Sequence, residues 1–254
     1  MAVAEFRHRI DEGTDPMSLT GKKIVIIGGT SGIGFAVARQ ALAAGADVVV
    51  ASSSQERVDA AAGRLGGRAE GRRLDVADDD AIAAFFGRVG EFDHLVYTAG
   101  ESLLIKPLAD TTPQEARGVF ERRFWGAFLS AKHAAPRLRD GGSITFSSGV
   151  LAVRPLSGTA LAAGITGGVE ALSRALAVEL APLRVNVIRP GVISTELWDG
   201  SVPDPEGFLE GAGSALLTRR VGTAEEAAAA YLFALSNGYV TGTTVAVDGG
   251  AALV

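Results

Sequence analysis

Gly28-Gly29-Thr30-Ser31-Gly32-Ile33-Gly34 is the stretch that decides the fold of this 254-residue chain. It joins a run of β-branched residues, 23–28, to an Ala-rich amphipathic run, 32–44, and these are the patterns of a strand followed by a helix. Glycines at this spacing allow a tight turn, a close approach of the backbone to a pyrophosphate, and close packing of the helix on the sheet. Because the amides at the start of a helix attract an anion, the stretch predicts a dinucleotide-binding turn.

The same alternation of short apolar runs and longer amphipathic runs continues along the chain. It predicts strands at 23–28, 47–51, 71–74, 94–97, 143–147, 184–188 and 244–247, and helices at 32–44, 55–65, 78–89, 112–138, 158–180 and 223–235. A further segment, 203–217, is predicted to be mobile and partly helical. Strands that alternate with helices form parallel sheets. We therefore predict an α/β fold, a single doubly wound Rossmann domain whose seven-stranded parallel sheet has helices on both faces.

The composition indicates one domain and argues against nucleic acid as a partner. No linker rich in Pro, Ser or charge divides the chain, so residues 17–254 are predicted to form the domain and residues 1–16 a disordered extension. A hydrophobic content of 47% is enough for one large core. The net charge of -5 and the pI of about 5.3 do not suit nucleic acid, which selects basic surfaces.

Cysteine, histidine and hydropathy narrow the possible functions further. The chain has no Cys, which excludes disulfides, thiolate metal ligands and cysteine nucleophiles. Its three histidines, His8, His94 and His133, are too scattered to predict a metal site. No apolar run approaches the roughly 18 residues that cross a membrane. Charges interrupt the first twenty residues, which do not resemble a signal peptide. We expect a cytoplasmic protein without a metal or a membrane partner.

Five short motifs follow the glycine turn in sequence order. They are Leu74-Asp75-Val76, Thr98-Ala99-Gly100, the segment 184–195, Thr241-Gly242 and Asp248-Gly249-Gly250. Together with the Gly-x-x-x-Gly-Ile-Gly spacing, they resemble the signatures of the short-chain dehydrogenase/reductase family, from about residue 19 to residue 251. The resemblance implies a nicotinamide-dependent oxidoreductase, with Asp75 beside the adenine and the segment 184–195 behind the nicotinamide ring.

The resemblance also implies which residues hold the cofactor and which cofactor it is. NAD-binding relatives place an Asp at the position of Ser52, and NADP-binding relatives commonly place an Arg at that of Ser53. Since neither is present, no carboxylate repels a 2′-phosphate, and hydroxyls and helix-start amides are available to accept it. We expect NADP(H), with NAD(H) as the alternative, and interpret Arg57 as a solvated helix residue. The implied cofactor-binding residues are Gly28, Thr30, Ser31, Gly32, Ile33, Gly34, Ser52, Ser53, Ser54, Asp75, Val76, Thr98, Ala99, Gly100, Pro190, Gly191, Ile193 and Thr195.

The family's four catalytic positions carry over poorly. The helix Asn corresponds to Arg123, and the serine after the fifth strand corresponds to Ser148, with Ser147 as the alternative. The Tyr and Lys positions correspond to Ala162 and Thr166. Losing a general acid forfeits roughly 10²–10⁴-fold in rate. Ser148, orienting a substrate oxygen, and Arg123, stabilising an oxyanion by its charge, are therefore the candidate catalytic residues. The alternative for Arg123 is a surface or interface position.

Three other side chains near the predicted site have a structural and a functional interpretation. Tyr97 is expected to pack under the adenosine ribose rather than to replace the missing tyrosine. Glu101, just after the Gly100 turn, is a possible base. His133, late in its helix, is interpreted as structural or as part of an interface.

A lid and an oligomer interface complete the prediction. The segment 196–217 follows the Pro190-Gly191 turn and carries apolar side chains, as a substrate-covering lid would. The helices 112–138 and 158–180 resemble the pair that forms the family's dimer interface, so we expect a homodimer or a homotetramer. Gly164, Gly167 and Gly168 in the second helix predict a close approach, either to another helix or to the cofactor.

Three functional hypotheses follow from an intact cofactor site and a lost proton donor. The first is an atypical NADP(H)-dependent reductase of a carbonyl, quinone or enone that stabilises its own anion. The second is a dinucleotide-binding sensor or partner subunit without turnover. The third is a non-redox cyclase, dehydratase or isomerase that reuses the cavity.

Overall fold

The computed structural model describes residues 18–100 and 103–254. The strands in this part of the chain are β1 (Lys23–Ile27), β2 (Asp47–Ser52), β3 (Ala69–Arg73), β4 (Phe92–Tyr97), β5 (Leu138–Ser147), β6 (Arg184–Pro190), β7 (Ile193–Ser194), β8 (Gly222–Thr223) and β9 (Thr244–Val247). Seven of them form one parallel sheet in the order β3-β2-β1-β4-β5-β6-β9. The order reverses between β1 and β4, which confirms the predicted doubly wound sheet.

Helices cover both faces of this sheet, as predicted. One face carries α1 (Gly32–Ala43), α2 (Gln55–Leu65) and α8 (Ala224–Ser236), and the other carries α3 (Asp79–Val89), α4 (Pro113–Phe120), α5 (Gly126–Ala134) and α6 (Ala160–Glu179). A shorter helix, α7 (Pro205–Ala215), lies in the segment between β7 and β8.

The two faces divide the core because side chains alternate along each central strand. In β1, Val25 and Ile27 pack with α3, α5 and α6, whereas Ile24 and Ile26 pack with α1 and α8. Both faces are buried, so β1 and β2 contain continuous apolar runs, at residues 24–27 and 48–51, as the sequence pattern indicated. The carboxyl ends of β1, β4, β5 and β6 meet at one edge of the sheet and position the candidate site.

The predicted single helix 112–138 is wrong. The chain there forms α4, a π-helical turn (Glu121–Trp125), α5 and a short 3-10 turn (Ala135–Arg137). Thr112 begins α4 with a capping box, exchanging hydrogen bonds with Glu115. Pro136 lies in this 3-10 turn, and its ring and missing N–H do not allow α5 to continue. β5 therefore begins at Leu138, five residues earlier than predicted.

The predicted lid segment contains more structure than its sequence indicated. A 3-10 turn (Glu196–Gly200) precedes α7, and β7 pairs with β8 in a two-stranded sheet. Trp198 is buried, stacks on Phe208 with ring centroids 4.6 Å apart, and donates its indole N–H to the carbonyl of Ile193 at 2.7 Å. Trp198 and Phe208 thus pack on each other, and the Trp198 indole is held at β7.

Helix α6 is long and apolar enough, by length and composition alone, to cross a membrane, which the sequence analysis had not expected. In this fold it is one layer of the domain, packed on β5 and β6 with Ile165, Val169 and Leu176 in the core. Its opposite side is exposed and also rich in small apolar residues, and this two-sided composition accounts for its high mean hydropathy.

Candidate active site

In the turn between β1 and α1, Gly28 and Gly34 cannot be replaced by a residue with a side chain unless neighbouring atoms move. Gly28 has a φ of +90°, and a Cβ there would lie 2.6 Å from the backbone nitrogen of Ala99. A Cβ on Gly34 would lie 2.5 Å from Oγ1 of Thr98 and closer still to the carbonyl of Gly28. The first turn of α1 has no acidic side chain, so its amides and partial positive charge face an anion without competition from within the helix.

A cleft of about 610 Å³ runs across the carboxyl ends of the strands. All but three of the predicted cofactor-binding residues line it. The exceptions are Ser54, Gly191 and Ile193. Ser54 caps α2 by accepting the amide of Arg57 at 3.3 Å. Gly191 lies against Asp248, whose Cα would be 2.7 Å from a Cβ, and Ile193 is buried against Gly222. These three residues support the walls of the cleft instead of lining it.

Arg57 is exposed on α2, as interpreted, and its side chain also lines the cleft at the β2 end, which the sequence did not indicate. Its guanidinium donates to Oγ of Ser53 at 3.4 Å, and Arg73 donates to the Ser53 carbonyl at 3.0 Å. The sequence missed Arg57 because its direction depends on where α2 begins. With Ser54 as the N-cap, Arg57 stands on the first turn of α2 and faces back over β2. Other lining residues that sequence reasoning missed are Ile27, Leu74, Arg122, Glu196 and Leu197.

The π-helical turn between α4 and α5 places Arg123 at the site. Such a turn widens a helix locally and is frequent at functional sites. The Tyr97 hydroxyl donates to the carbonyl of Arg122 from below the turn. The Arg123 guanidinium lies against the backbone of Gly100, where a Cβ would come within 2.5 Å of its Cζ. Arg123 lines both the cleft and a smaller cavity next to it, whereas the predicted alternative was a surface or interface position.

Tyr97 lies under this turn, and its expected place under the adenosine ribose stays a prediction. It lines the smaller cavity but is not among the residues that line the main cleft. Burial raises the pKa of its hydroxyl, and the nearby positive charge of Arg123 offsets only part of that effect. A hydroxyl that is fully buried and committed to a carbonyl is not a proton donor for the cleft.

The positions that the resemblance assigned to Tyr and Lys also face the smaller cavity, which measures about 30 Å³. Ala162 offers no proton there, and the Thr166 hydroxyl donates to the Ala162 carbonyl at 2.7 Å within α6. Ser148 and Arg123 line the same cavity. The structure thus brings together the four positions that the resemblance singled out, but Ala162 offers no polar group and the proton of Thr166 is committed within α6.

The two adjacent serines after β5 face opposite sides of the sheet. Ser147 donates to the carbonyl of Tyr97 at 2.9 Å and lies 2.5 Å from the hydroxyl of Tyr231 on α8. Ser148 turns toward α6, where its hydroxyl donates to Oε1 of Glu170 at 2.7 Å. Both serines line the smaller cavity with Ala162 and Thr166, but of the two hydroxyls it is that of Ser148 that bonds to a side chain of α6.

Behind Ser148 lies a buried ion pair that the sequence did not reveal. Nε of Arg189 donates to Oε1 of Glu170 at 2.7 Å, and its terminal nitrogen donates to Oε2 at 2.8 Å. Burial by itself raises the pKa of Glu170, but the hydrogen bonds from Arg189 and Ser148 outweigh it and hold the pKa below its usual value. Glu170 is therefore ionised at neutral pH. No motif marks it, and only its place one turn after Thr166 on α6 connects it to the site.

Neither of the two histidines in the described part of the chain, His94 and His133, lines the cleft. Burial lowers the pKa of His94 to about 3, and its ring is 2.9 Å from the hydroxyl of Ser143, away from the site. His133 pairs with Asp79 at the protein surface at 2.7 Å. Within residues 18–100 and 103–254, no group of three or more His, Cys, Asp or Glu side chains forms a possible metal site. Glu101, the possible base, lies outside the described residues.

A doubly wound parallel sheet whose glycine turn opens a cleft at the point where the strand order reverses defines a dinucleotide-binding Rossmann protein. The family model described as Enoyl-(Acyl carrier protein) reductase matches residues 28–252. The short-chain dehydrogenase/reductase ucsE of Acremonium sp is 37% identical over 91% of this chain and 96% of its own length. The chain belongs to the short-chain dehydrogenase/reductase family.

Two solved structures show how closely the fold is shared. A small-chain dehydrogenase crystallised in complex with NADPH is 39% identical, with a TM-score of 0.82 over 92% of this chain and 100% of its own. The MalC reductase/Diels-Alderase of Malbranchea aurantiaca is 32% identical, with a TM-score of 0.88 over 94% of this chain and 100% of its own.

Proposed function

We propose that this chain is an NADP(H)-dependent reductase of a carbonyl, quinone or enone that works without the tyrosine–lysine pair of its family. The observation that carries the proposal is the single cleft from Arg57 at one end to Ser148, Arg123 and Thr195 at the other. The cofactor supplies a hydride when it is bound. The chain supplies the cradle for a pyrophosphate at Gly28–Gly34 and the groups around the reacting carbon.

The β2 end of the cleft favours NADP(H) over NAD(H). Ser52 and Ser53 replace the carboxylate that would repel a 2′-phosphate, and Arg57 adds a positive charge beside the Ser53 hydroxyl. The relative that was crystallised with NADPH supports this choice.

Arg123 takes over the stabilisation of charge at the other end of the cleft. Ala162 and Thr166 cannot deliver a proton to a developing alkoxide, whereas a fixed positive charge stabilises an oxyanion without proton transfer. Such a site suits substrates whose anion is delocalised, as in a quinone, an enone or a polyketide-like ketone. Water then supplies the proton after the hydride has been transferred.

NADPH binding and consumption test this proposal directly. The purified chain is titrated with NADPH and NADH by cofactor fluorescence, and NADPH absorbance is followed with a panel of ketones, quinones and enones. We expect saturable NADPH binding and consumption with at least one delocalised acceptor. Arg123→Ala should lower kcat/KM about 10²-fold or more without weakening NADPH binding. Arg117→Ala, which removes an exposed Arg on α4 outside both cavities, is the control.

Other outcomes of the same assay would lead to the rival functions. Tight NADPH binding without consumption favours a sensor or partner subunit. A non-redox activity that persists without dinucleotide favours a cyclase, dehydratase or isomerase, and the name of the MalC relative, reductase/Diels-Alderase, gives that outcome a precedent on this fold. The homo-oligomer, the lid role of residues 196–217 and the cytoplasmic location stay predictions.

A further inference from the structure

The hydrogen bonds around Ser148 fix the direction in which its hydroxyl points. Glu170 is an ionised carboxylate held by Arg189 through both oxygens, so it can only accept hydrogen bonds. The Ser148 proton is therefore committed to Glu170 at 2.7 Å, while the amide of Gly149 donates to Oγ of Ser148 at 2.6 Å. A hydroxyl has one proton and two lone pairs. What remains for the cavity is one lone pair, and Ser148 faces a substrate as an acceptor.

This arrangement differs from what a bare carbonyl substrate requires. A carbonyl oxygen also accepts, so it gains no hydrogen bond from a serine whose proton points away from it. A substrate group that carries its own proton, by contrast, pairs with the free lone pair of Ser148. The direction of the Ser148 hydroxyl thus selects substrates that carry a hydrogen-bond donor. The ion pair of Glu170 and Arg189 fixes that direction.

We propose that Glu170 is a positioning residue that holds Ser148 as a hydrogen-bond acceptor, and that the substrate is an enolised β-dicarbonyl whose enol O–H donates to Ser148. The proposal rests on the hydride-transfer function proposed above and names its substrate class. It also accounts for the absence of a proton donor at Ala162 and Thr166, because the oxygen on the reacting carbon already carries its proton.

The reduction balances without a general acid at that oxygen. The enol carbon gains the hydride that a reduced nicotinamide supplies, and the electron pair of its C=C bond moves through the conjugated system to the second oxygen. That oxygen becomes an enolate oxygen, beside the positive charge of Arg123, which lines the same cavities as Ser148. The enol O–H bond stays intact. The central carbon then takes one proton from water, and the product is a β-hydroxy ketone, the result of adding one hydride and one proton.

Binding of two matched probes tests the proposal without turnover. Benzoylacetone enolises, and its analogue with two methyl groups on the central carbon cannot. Isothermal titration of the chain saturated with oxidised NADP measures both affinities. We expect benzoylacetone to bind roughly tenfold more tightly, the worth of one good hydrogen bond. Equal affinities, or tighter binding of the dimethyl analogue, would overturn the proposal.

Variants separate the polarity of Ser148 from the shape of the cavity. Glu170→Leu combined with Arg189→Met removes the ion pair at similar volume, a change that buried pairs often tolerate. It frees the Ser148 proton for a substrate carbonyl, because the Gly149 carbonyl, at 3.5 Å, is too far away for a good hydrogen bond. We expect the preference for benzoylacetone to disappear. Ser148→Ala, which leaves the ion pair in place, should weaken benzoylacetone binding but not binding of the analogue. A preference that survives either variant contradicts the proposal.

A control and a turnover assay complete the test. Ser173→Ala on the same helix removes a buried hydroxyl without a hydrogen-bond partner among the described residues, and it should keep the preference. With NADPH deuterated at the transferred position, we expect the label on the carbinol carbon of the β-hydroxy ketone. If a quinone is reduced but the binding preference is absent, the proposed function stands and this inference fails. If no acceptor consumes NADPH, both fail.

Discussion

Arg57 makes a prediction about cofactor choice at the scale of one residue. Replacing it by Ala should weaken NADPH binding about tenfold or more and leave NADH binding nearly unchanged, because only NADPH has a 2′-phosphate for the guanidinium. Fluorescence titration with both cofactors measures the effect. Arg64→Ala is the matched control, since Arg64 lies on the same helix but stacks on Phe35 at 4.1 Å, outside the cleft. Equal weakening of both cofactors would place the 2′-phosphate elsewhere.

Glu170 makes a second prediction, on stability as a function of pH. Its folded pKa lies below the unfolded value of about 4.3, so the unfolded state takes up the proton first as the pH falls. The stabilisation from this group is present above that value and is lost progressively below about pH 5. Urea unfolding at several pH values should show this loss in the wild type. The Glu170→Leu, Arg189→Met variant should lack the part of this loss that comes from Glu170. An identical pH dependence of the free energy of unfolding in the variant and the wild type would contradict the prediction.

What the sequence could predict at this scale depends on whether a residue belongs to a contiguous motif. Ser148, Ala162 and Thr166 were placed together from their spacing in one resemblance, and the structure brings them to one cavity. Glu170 and Arg57 belong to no motif. Their roles depend on which way a helix faces, on α6 and α2 respectively, and a change of one residue in register would point either side chain elsewhere.

At the scale of the element, the glycine turn and its helix act as one unit. Gly34→Ala should abolish NADPH binding and lower Tm, because its Cβ would meet the Gly28 backbone and Thr98 and push α1 away from the cleft. Gly63→Ala on α2 is the control, since nothing lies within 4 Å of its Cβ position. It should raise the free energy of unfolding by about 0.5–1 kcal/mol. Thermal unfolding and NADPH titration of both variants measure these effects. Normal NADPH binding by Gly34→Ala would contradict the prediction.

The π-helical turn shows why element boundaries were harder to predict than element types. The amphipathic pattern of residues 112–138 continues through the turn, so one helix was the simplest interpretation. The interruption comes from tertiary contacts, with the Tyr97 hydroxyl on the Arg122 carbonyl and the close approach of Gly126 to Val76. The glycines of α6 also depend on tertiary contacts that the sequence does not show. A Cβ on Gly168 would lie 3.2 Å from the Phe124 ring, so this glycine allows a close contact between helical segments. Nothing lies within 4 Å of the Cβ position of Gly167.

At the scale of the whole molecule, the order of the strands explains why distant motifs form one site. β1, β4, β5 and β6 are neighbours in the sheet although their residues are spread from 23 to 190 along the chain. Their carboxyl ends place the glycine turn, Thr98–Gly100, Ser148 and Thr195 around one cleft. The alternation of strands and helices predicted the parallel sheet, because parallel strands joined by helices have few allowed topologies. The placement of these residues around one site was implied by the family resemblance.

The exposed side of α6 carries the last prediction, on oligomeric state. Gly164, Ala171 and Val178 lie at seven-residue intervals along it, all three are exposed, and Val178 is 82% exposed. A stripe of this kind is covered when a second copy packs its own α6 against it, as the family resemblance implies. Val178→Lys should therefore convert an oligomer into a smaller species, measured by size-exclusion chromatography with light scattering. Ala60→Lys, on the exposed side of α2, should leave the mass unchanged. A wild-type monomer, or an unchanged mass for Val178→Lys, would show that this stripe is not the interface.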